Sequence, residues 1–172
     1  MVKKIYLLSL LALSAAPALG MYSMSMADVA ALTTQLNHIN TQMNAIKRAW
    51  NAERIHIKKA EKASPTAYAQ IKPVLDRIIA SDDFTAQMNA KIATQFDSII
   101  NNNATFQTVK ADNTIADLFP NLKMNAYGAK LYTALANKAY FFLLGQKLAE
   151  KAKEIGESIR KTQLDNARQS IA

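Results

Sequence analysis

The stretch that decides the fold is Asp28–Trp50, DVAALTTQLNHINTQMNAIKRAW. Its large apolar residues recur at alternating spacings of three and four residues. This heptad spacing places them in one narrow stripe along a helix, here called the seam. The seam residues are Val29, Leu32, Leu36, Ile39, Met43, Ile46 and Trp50. Because a single helix cannot bury such a stripe alone, we expect the seam to pack against another long helix of this chain or of a second subunit.

The predicted first helix spans residues 28–63. Beyond the seam, Glu53 takes the next inward position and Ile57 the one after it. Ser64-Pro65 then ends the helix, because a proline disfavours the helical conformation of the residue before it. At about 1.5 Å per residue, this helix is about 54 Å long.

The two halves of this helix differ in charge. The first half carries no charged residue between Asp28 and Lys47. The second half carries six cations: Lys47, Arg48, Arg54, Lys58, Lys59 and Lys62. Such a group is typical of a solvated helix end, and it also fits contact with an acidic partner or with lipid head groups. Nucleic acid would require exposed aromatic rings for stacking, whereas the nearby Trp50 falls on the seam.

The C-terminal third predicts a second long helix, over residues 123–170. Its apolar residues recur at helical spacing: Leu131, Leu135, Phe142, Leu148, Ile155 and Ile159. Three glycines lie inside it: Gly128, Gly145 and Gly156. Each glycine costs up to ~1 kcal/mol relative to alanine, which a bend or a close approach to another helix would offset; a slightly frayed helix is the alternative. The run 140–144 is apolar nearly all round the helix, so it belongs to the core or to a partner interface, with Phe141 as the candidate contact.

Residues 64–122, between the long helices, predict shorter helical pieces. One helix follows Pro65, and another is capped by Ser81 or Asp82 and stopped by Asn101-Asn102-Asn103. The second piece has apolar residues on one face: Phe84, Met88, Ile92, Phe96 and Ile99. No convincing two-residue strand pattern occurs. We therefore predict an all-α protein, an elongated bundle of two to three long helices with a small helical appendage over residues 64–122.

The segment 115–120 places large apolar residues in a loop-like setting that ends at Pro120. Such side chains anchor a partner when exposed, or they pack under the appendage. The candidate partner-binding residues of the chain are therefore Ile115, Leu118, Phe119 and Phe141.

Composition excludes several classes of protein. The chain has 172 residues, enough for one domain, with 4 glycines, 4 prolines and no cysteine. The absence of cysteine excludes a disulfide scaffold, a thiolate zinc site and a cysteine nucleophile. The two histidines, His38 and His56, lie about 27 Å apart along one helix and cannot share a metal. No phosphate-binding glycine loop, zinc-protease motif or serine-hydrolase motif occurs. We therefore expect no catalytic residue, no cofactor and no metal site, and predict that the protein is not an enzyme.

The first twenty residues have the pattern of a secretory signal peptide. Lys3 and Lys4 precede a short apolar run, and a segment rich in small residues ends with Ala18 and Gly20. This pattern predicts cleavage before Met21, with a second choice before Asp28, and a single helical domain over residues 21–172; an uncleaved anchor is the alternative. After cleavage we expect no integral membrane segment. For an exported protein nucleic acid is the least available anionic partner, and we expect none.

Residues 26–37, MADVAALTTQLN, resemble the mature start of the minor pilins of VirB-type type IV secretion systems. Members of that family often open with an aspartate-containing segment that runs into a helix rich in leucine, glutamine and asparagine. The family also has long bundle helices, a small helical appendage in the middle and a long C-terminal helix. The resemblance in architecture covers nearly the whole mature chain, which is short for the family.

The resemblance implies a non-enzymatic subunit at the tip of a conjugative or effector-translocating pilus. Such a subunit helps to assemble the pilus and contacts the target cell. Its partners would be other pilus or secretion-channel subunits and a receptor on the recipient cell or host. It would be exported to the periplasm and the cell surface, or released outside the cell. The alternative from the residues alone is a periplasmic helical chaperone or adaptor, which grips unfolded clients between its helices.

Overall fold

The computed structural model describes residues 26–101 and 125–169 of the chain. These ranges form four α-helices: α1 Met26–Ala63, α2 Pro65–Ile79, α3 Asp82–Asn101 and α4 Ala126–Gln169. No strand occurs within the described ranges, and the predicted all-α bundle with two long helices and a small helical part between them is confirmed. The predicted signal peptide and the rest of the appendage, residues 102–122, lie outside the described residues.

The two long helices, α1 and α4, pack against each other along most of their length in antiparallel orientation. The Tyr127 hydroxyl donates to the Ala60 carbonyl at 2.8 Å, and the Asn137 amide donates to Glu53 at 3.2 Å. Farther along, Ile46 lies beside Gly145. Residue numbers thus fall on α1 while they rise on α4. The partner of the seam is therefore the second long helix of the same chain.

The hydrophobic core follows this helix pair. All seven seam residues lie in the core or pack against it, with Ile39 and Ile46 buried and the other five partly buried. The largest buried side chains that α4 contributes are Leu131, Tyr132, Tyr140, Phe141, Leu144 and Leu148. Ile155 and Ile159 continue the core toward the C-terminal end of α4. The seam predicted from the sequence therefore contacts the core along its whole length, from Val29 to Trp50.

The short helices α2 and α3 add a layer against both long helices. Ser81 joins them, since its hydroxyl donates to the Ile78 carbonyl at 2.7 Å and accepts the Phe84 amide at 3.2 Å. Ser81 is therefore the cap of α3, one of the two predicted choices. The buried residues of this layer are Leu75, Ile78, Phe84, Met88, Ile92, Ile99 and Ile100. At the far end of α3, Gln35 donates to the Asn101 side chain at 2.6 Å, so α3 points toward the N-terminal end of α1.

The long helix α4 begins at a side-chain cap and continues without a break. The Asn125 side chain accepts the Gly128 amide at 2.8 Å, which satisfies one of the free donors of the first turn. A Cβ atom at Gly145 would lie 3.9 Å from Ile46 Cγ2, an ordinary contact, and one at Gly156 would meet nothing within 4 Å. A close helix approach therefore does not account for these two glycines.

Candidate interaction surfaces

A polar cluster lies just beyond the seam, at Glu53, whose side chain is 14% exposed. Its Oε1 atom accepts a hydrogen bond from Asn137 Nδ2 of α4 at 3.2 Å, and its Oε2 atom lies 3.2 Å from His56 Nδ1. Asn137 is itself buried, at 3% exposure. Glu53 therefore points toward α4, as the heptad spacing predicts, and its carboxylate has a hydrogen-bond partner on that helix. Such a polar pair within an apolar interface favours one register of the two helices.

Trp50, the last seam residue, is half-buried beside this cluster. The Arg54 guanidinium lies 6.0 Å from the centre of its ring and the Lys138 ammonium 5.3 Å. Both are within the range of a cation–π contact, so each helix supplies one cation to the indole. Since the ring packs against the core, it is not a free platform for a stacked base.

A continuous group of cations covers the outer face of the second half of α1. We call it the basic stripe: Lys47, Arg48, Arg54, Ile55, Lys58, Lys59 and Lys62. All seven side chains are exposed. At 3.6 residues per turn the six cations fall within an arc of about 140°, and the stripe is about 22 Å long. Ile55 lies inside this arc and is 51% exposed.

Three lysines outside the basic stripe are in ion pairs, whereas the stripe, like Arg77, Lys130, Arg160 and several other described cations, is in none. Elsewhere, Lys151 lies 3.1 Å from Glu154 and Lys153 lies 3.8 Å from Glu157. Lys72 pairs with Asp76, and that hydrogen bond raises the pKa of the lysine. Within residues 26–101 and 125–169, by contrast, no cation of the basic stripe is in an ion pair. Apart from Arg54, which contacts the Trp50 ring, the cations of the stripe are therefore left to solvent or to a partner.

The aromatic run of α4 is divided between core and surface. Phe141 is 1% exposed, and its ring lies 5.7 Å from that of Tyr140. Of the two alternatives given for this run, the structure places Phe141 in the core, because the helices of its own chain enclose the ring. Its neighbour Phe142 is 41% exposed and is the accessible ring of this run. The other three candidate partner-binding residues, Ile115, Leu118 and Phe119, lie outside the described residues.

Two tyrosines of α4, Tyr132 and Tyr140, are fully buried, and neither hydroxyl has a hydrogen-bond partner among residues 26–101 and 125–169. Burial disfavours the charged phenolate and raises the pKa of each tyrosine to about 12. The Lys91 ammonium of α3 lies 5.7 Å from the centre of the Tyr140 ring. These groups lie within the packed layer between α3 and α4 rather than on an interaction surface.

The described part of the chain offers neither a cluster of metal ligands nor a helix suited to cross a membrane. Within it, no group of three or more histidine, aspartate or glutamate residues is arranged to hold a metal ion. None of its helices combines the length and apolar character needed to cross a bilayer. Comparison of the chain with protein-family models, curated proteins and solved structures gives no match.

Proposed function

We propose that this protein is an exported, non-enzymatic minor subunit of a type IV secretion pilus, which acts in pilus assembly and in contact with the target cell. The observation that carries the proposal is the antiparallel pair of α1 and α4. At about 1.5 Å per residue these helices are about 57 and 66 Å long, so they form a rod. A rod with its core closed along its length suits a structural subunit that presents surfaces to other proteins.

Two features of the sequence support the same proposal. Residues 1–20 have the charged start, apolar run and small residues of an export signal. Residues 26–37, at the start of α1, resemble the mature start of VirB-type minor pilins. The partners would be other pilus or channel subunits and a receptor on the recipient cell or host.

The exposed apolar residues argue against the chaperone alternative. In the described ranges the large apolar side chains that remain exposed are Ile55, Val74, Phe142 and Leu164. They lie on three different helices, and each is isolated in sequence from the others. A chaperone that grips unfolded clients needs a wide apolar surface between its helices. In this chain, the inner faces of the helices are already buried against each other.

The proposal is tested by locating the protein in the cells that encode it. Surface pili are sheared from intact cells and separated from the cell bodies, and the protein is detected in both fractions. We expect it in the sheared fraction, with an N-terminus at Met21 or Asp28 by mass spectrometry. Deletion of its gene should reduce substrate transfer to recipient cells, and the full-length gene should restore it.

The outcome that would contradict the proposal is equally defined. A protein that stays in the cytoplasm with residues 1–20 attached is not an exported pilus subunit. A protein found in the periplasm but absent from sheared pili, with transfer unaffected by the deletion, would favour the chaperone or adaptor. Neighbouring genes for translocation ATPases and channel proteins would favour the pilus subunit.

A further inference from the structure

The basic stripe is not explained by the internal needs of the fold. The helix dipole favours cations only in the last turn of α1, which of the six contains Lys62. Arg54 and Lys58, and again Lys58 and Lys62, are four residues apart on one helix, where like charges repel each other. These like charges therefore weaken the helix that carries them. None of the six cations is in an ion pair within the described residues, although Glu61 lies three residues from Lys58 on the same helix.

The shape of the stripe selects the kind of partner. It is the convex outer side of a helix, whereas small ligands bind in concave sites. A flat anionic surface can contact a straight convex stripe along all of its about 22 Å. Within the described residues the stripe presents no exposed aromatic ring for nucleobases, because Trp50 packs against the core.

Besides cations for the head groups, a bilayer-binding surface needs an apolar side chain that can enter the acyl boundary, and Ile55 supplies it. Its side chain lies between the arms of the cations and is 51% exposed. Lysine and arginine side chains can keep their charged ends among lipid phosphates while an apolar side chain between them enters the boundary of the acyl chains.

We propose that the basic stripe docks α1 flat on an anionic lipid bilayer, with the six cations at the head groups and Ile55 inserted between them. The proposal is independent of the function proposed above, because it concerns one face of the molecule and not its assembly into a pilus. It predicts peripheral binding that depends on anionic lipid and weakens with salt.

The first test measures binding of the full chain to vesicles by flotation. Vesicles of phosphatidylglycerol and phosphatidylcholine should bind it, and vesicles of phosphatidylcholine alone should not. A stripe variant, Lys58→Gln with Lys59→Gln and Lys62→Gln, should bind about 100-fold more weakly. A matched control, Arg160→Gln with Lys161→Gln and Arg168→Gln, removes the same charge from the exposed face of the distant half of α4 and should bind as the unmodified chain does.

The second test reports insertion of residue 55. The chain contains no cysteine, so Ile55→Cys gives a single site for a dye that responds to polarity. Leu164→Cys is the matched control, since Leu164 is equally apolar and 50% exposed. On anionic vesicles the emission should shift to shorter wavelength at position 55 and stay unchanged at position 164.

A third variant separates binding from folding. Lys58→Glu places opposite charges four residues from Arg54 and from Lys62, so the melting temperature should not fall. Its affinity for anionic vesicles should nevertheless fall more than about tenfold.

Any of three results would overturn the proposal. The first is that the unmodified chain fails to bind anionic vesicles. The second is that the stripe variant and the α4 control lose binding equally, which would show an effect of net charge alone. The third is an unshifted dye at position 55 together with equal binding to single-stranded DNA, which would indicate a general polyanion surface.

Discussion

At the level of individual residues, the clearest energetic cost is the burial of two tyrosine hydroxyls. Tyr132 and Tyr140 are enclosed in the core, and no residue of the described ranges accepts a hydrogen bond from either hydroxyl. A buried polar group left without a partner costs about 1–3 kcal/mol, because its bonds to water are lost and not replaced. The rings themselves fill the space between helices. The stabilising part of each tyrosine is therefore its ring, and the hydroxyl works against the fold.

Replacing either tyrosine by phenylalanine should therefore stabilise the protein. Tyr132→Phe and Tyr140→Phe should each raise the free energy of unfolding by about 1 kcal/mol in urea denaturation. Tyr127→Phe is the control, because the Tyr127 hydroxyl donates to the Ala60 carbonyl at 2.8 Å and its loss should destabilise the protein. Equal losses of stability in all three variants would show that the two buried hydroxyls have partners in solution.

The same hydroxyls should make the fold sensitive to alkaline pH. Burial raises the pKa of Tyr132 and Tyr140 to about 12, whereas an unfolded tyrosine has a pKa of about 10. Between these values the unfolded chain loses protons that the folded chain retains, so stability falls as pH rises from about 10 to about 12. Below that window the two groups have no effect on pH dependence. The fall should be on the order of 1 kcal/mol per pH unit for each tyrosine.

The measurement is the difference between the unmodified chain and Tyr132→Phe with Tyr140→Phe across that pH range. The lysines titrate in both proteins, so their contribution cancels in the difference. Identical slopes for the two proteins would contradict the pKa shifts.

Individual contacts were the part of the structure least accessible from the sequence. The heptad spacing placed Glu53 inward, but nothing in the sequence identified Asn137 as its partner, because that pairing depends on the relative position of two helices far apart in the chain. Ile55 could have been found, since it lies seven residues after Arg48, which is close to two turns and returns to the same face. The sequence left Phe141 open between core and partner interface, because its neighbours are apolar on every side of the helix and periodicity could not distinguish it from Phe142.

At the scale of a helix, the seam of α1 is the main source of order. The alternation of three and four residues was sufficient to predict a long helix, because this spacing has no equivalent in a strand. The end of α1 was also predicted from the sequence, since Ser64-Pro65 directly follows the last residue of the helix, Ala63.

A charge placed in the seam should disrupt the helix pair. Leu36 packs against the core, so Leu36→Asp should lower the free energy of unfolding by at least about 2 kcal/mol, through loss of apolar contact and burial of a carboxylate. Leu164→Asp is the matched control on α4, where the side chain is 50% exposed and little change is expected. An unchanged melting temperature in Leu36→Asp would count against the seam as an energetic core.

Substitution of two glycines of α4 should stabilise the protein, in contrast to Leu36→Asp. Gly145 and Gly156 lie inside a continuous helix, and a Cβ atom at either position has room. Alanine lowers the entropy of the unfolded chain and favours the helix, so Gly145→Ala and Gly156→Ala should each stabilise the protein by about 0.5–1 kcal/mol. Thermal unfolding followed by circular dichroism measures the change. A lower melting temperature at position 145 would indicate that α1 and α4 approach more closely in solution.

At the scale of the whole molecule, the sequence left one question open: whether the seam is covered by the same chain or by another. The heptad pattern is the same in both cases, because it records only that a partner helix exists. The structure answers with α4 of the same chain, in antiparallel orientation. The placement of α2 and α3 against both long helices likewise depends on contacts distant in sequence, and composition predicted only that these helices exist.

This arrangement can be tested with a disulfide. Ile46 and Gly145 face each other, and the chain has no other cysteine to compete. Ile46→Cys with Gly145→Cys should form an intramolecular bond under mild oxidation, which gives a monomer of faster mobility in a non-reducing gel. Ile46→Cys alone should not show that band. A cross-linked dimer in place of the fast monomer would mean that the seam is shared between copies.

The contact between Glu53 and Asn137 has a mechanical consequence. A slide of α4 by one heptad in one direction would bring Leu144 opposite the carboxylate, seven residues from Asn137, and leave a charge facing an apolar side chain. Sliding of α4 along α1 in that direction is therefore unfavourable, so a force applied along the axis at one end of the helix pair is transmitted to the other end.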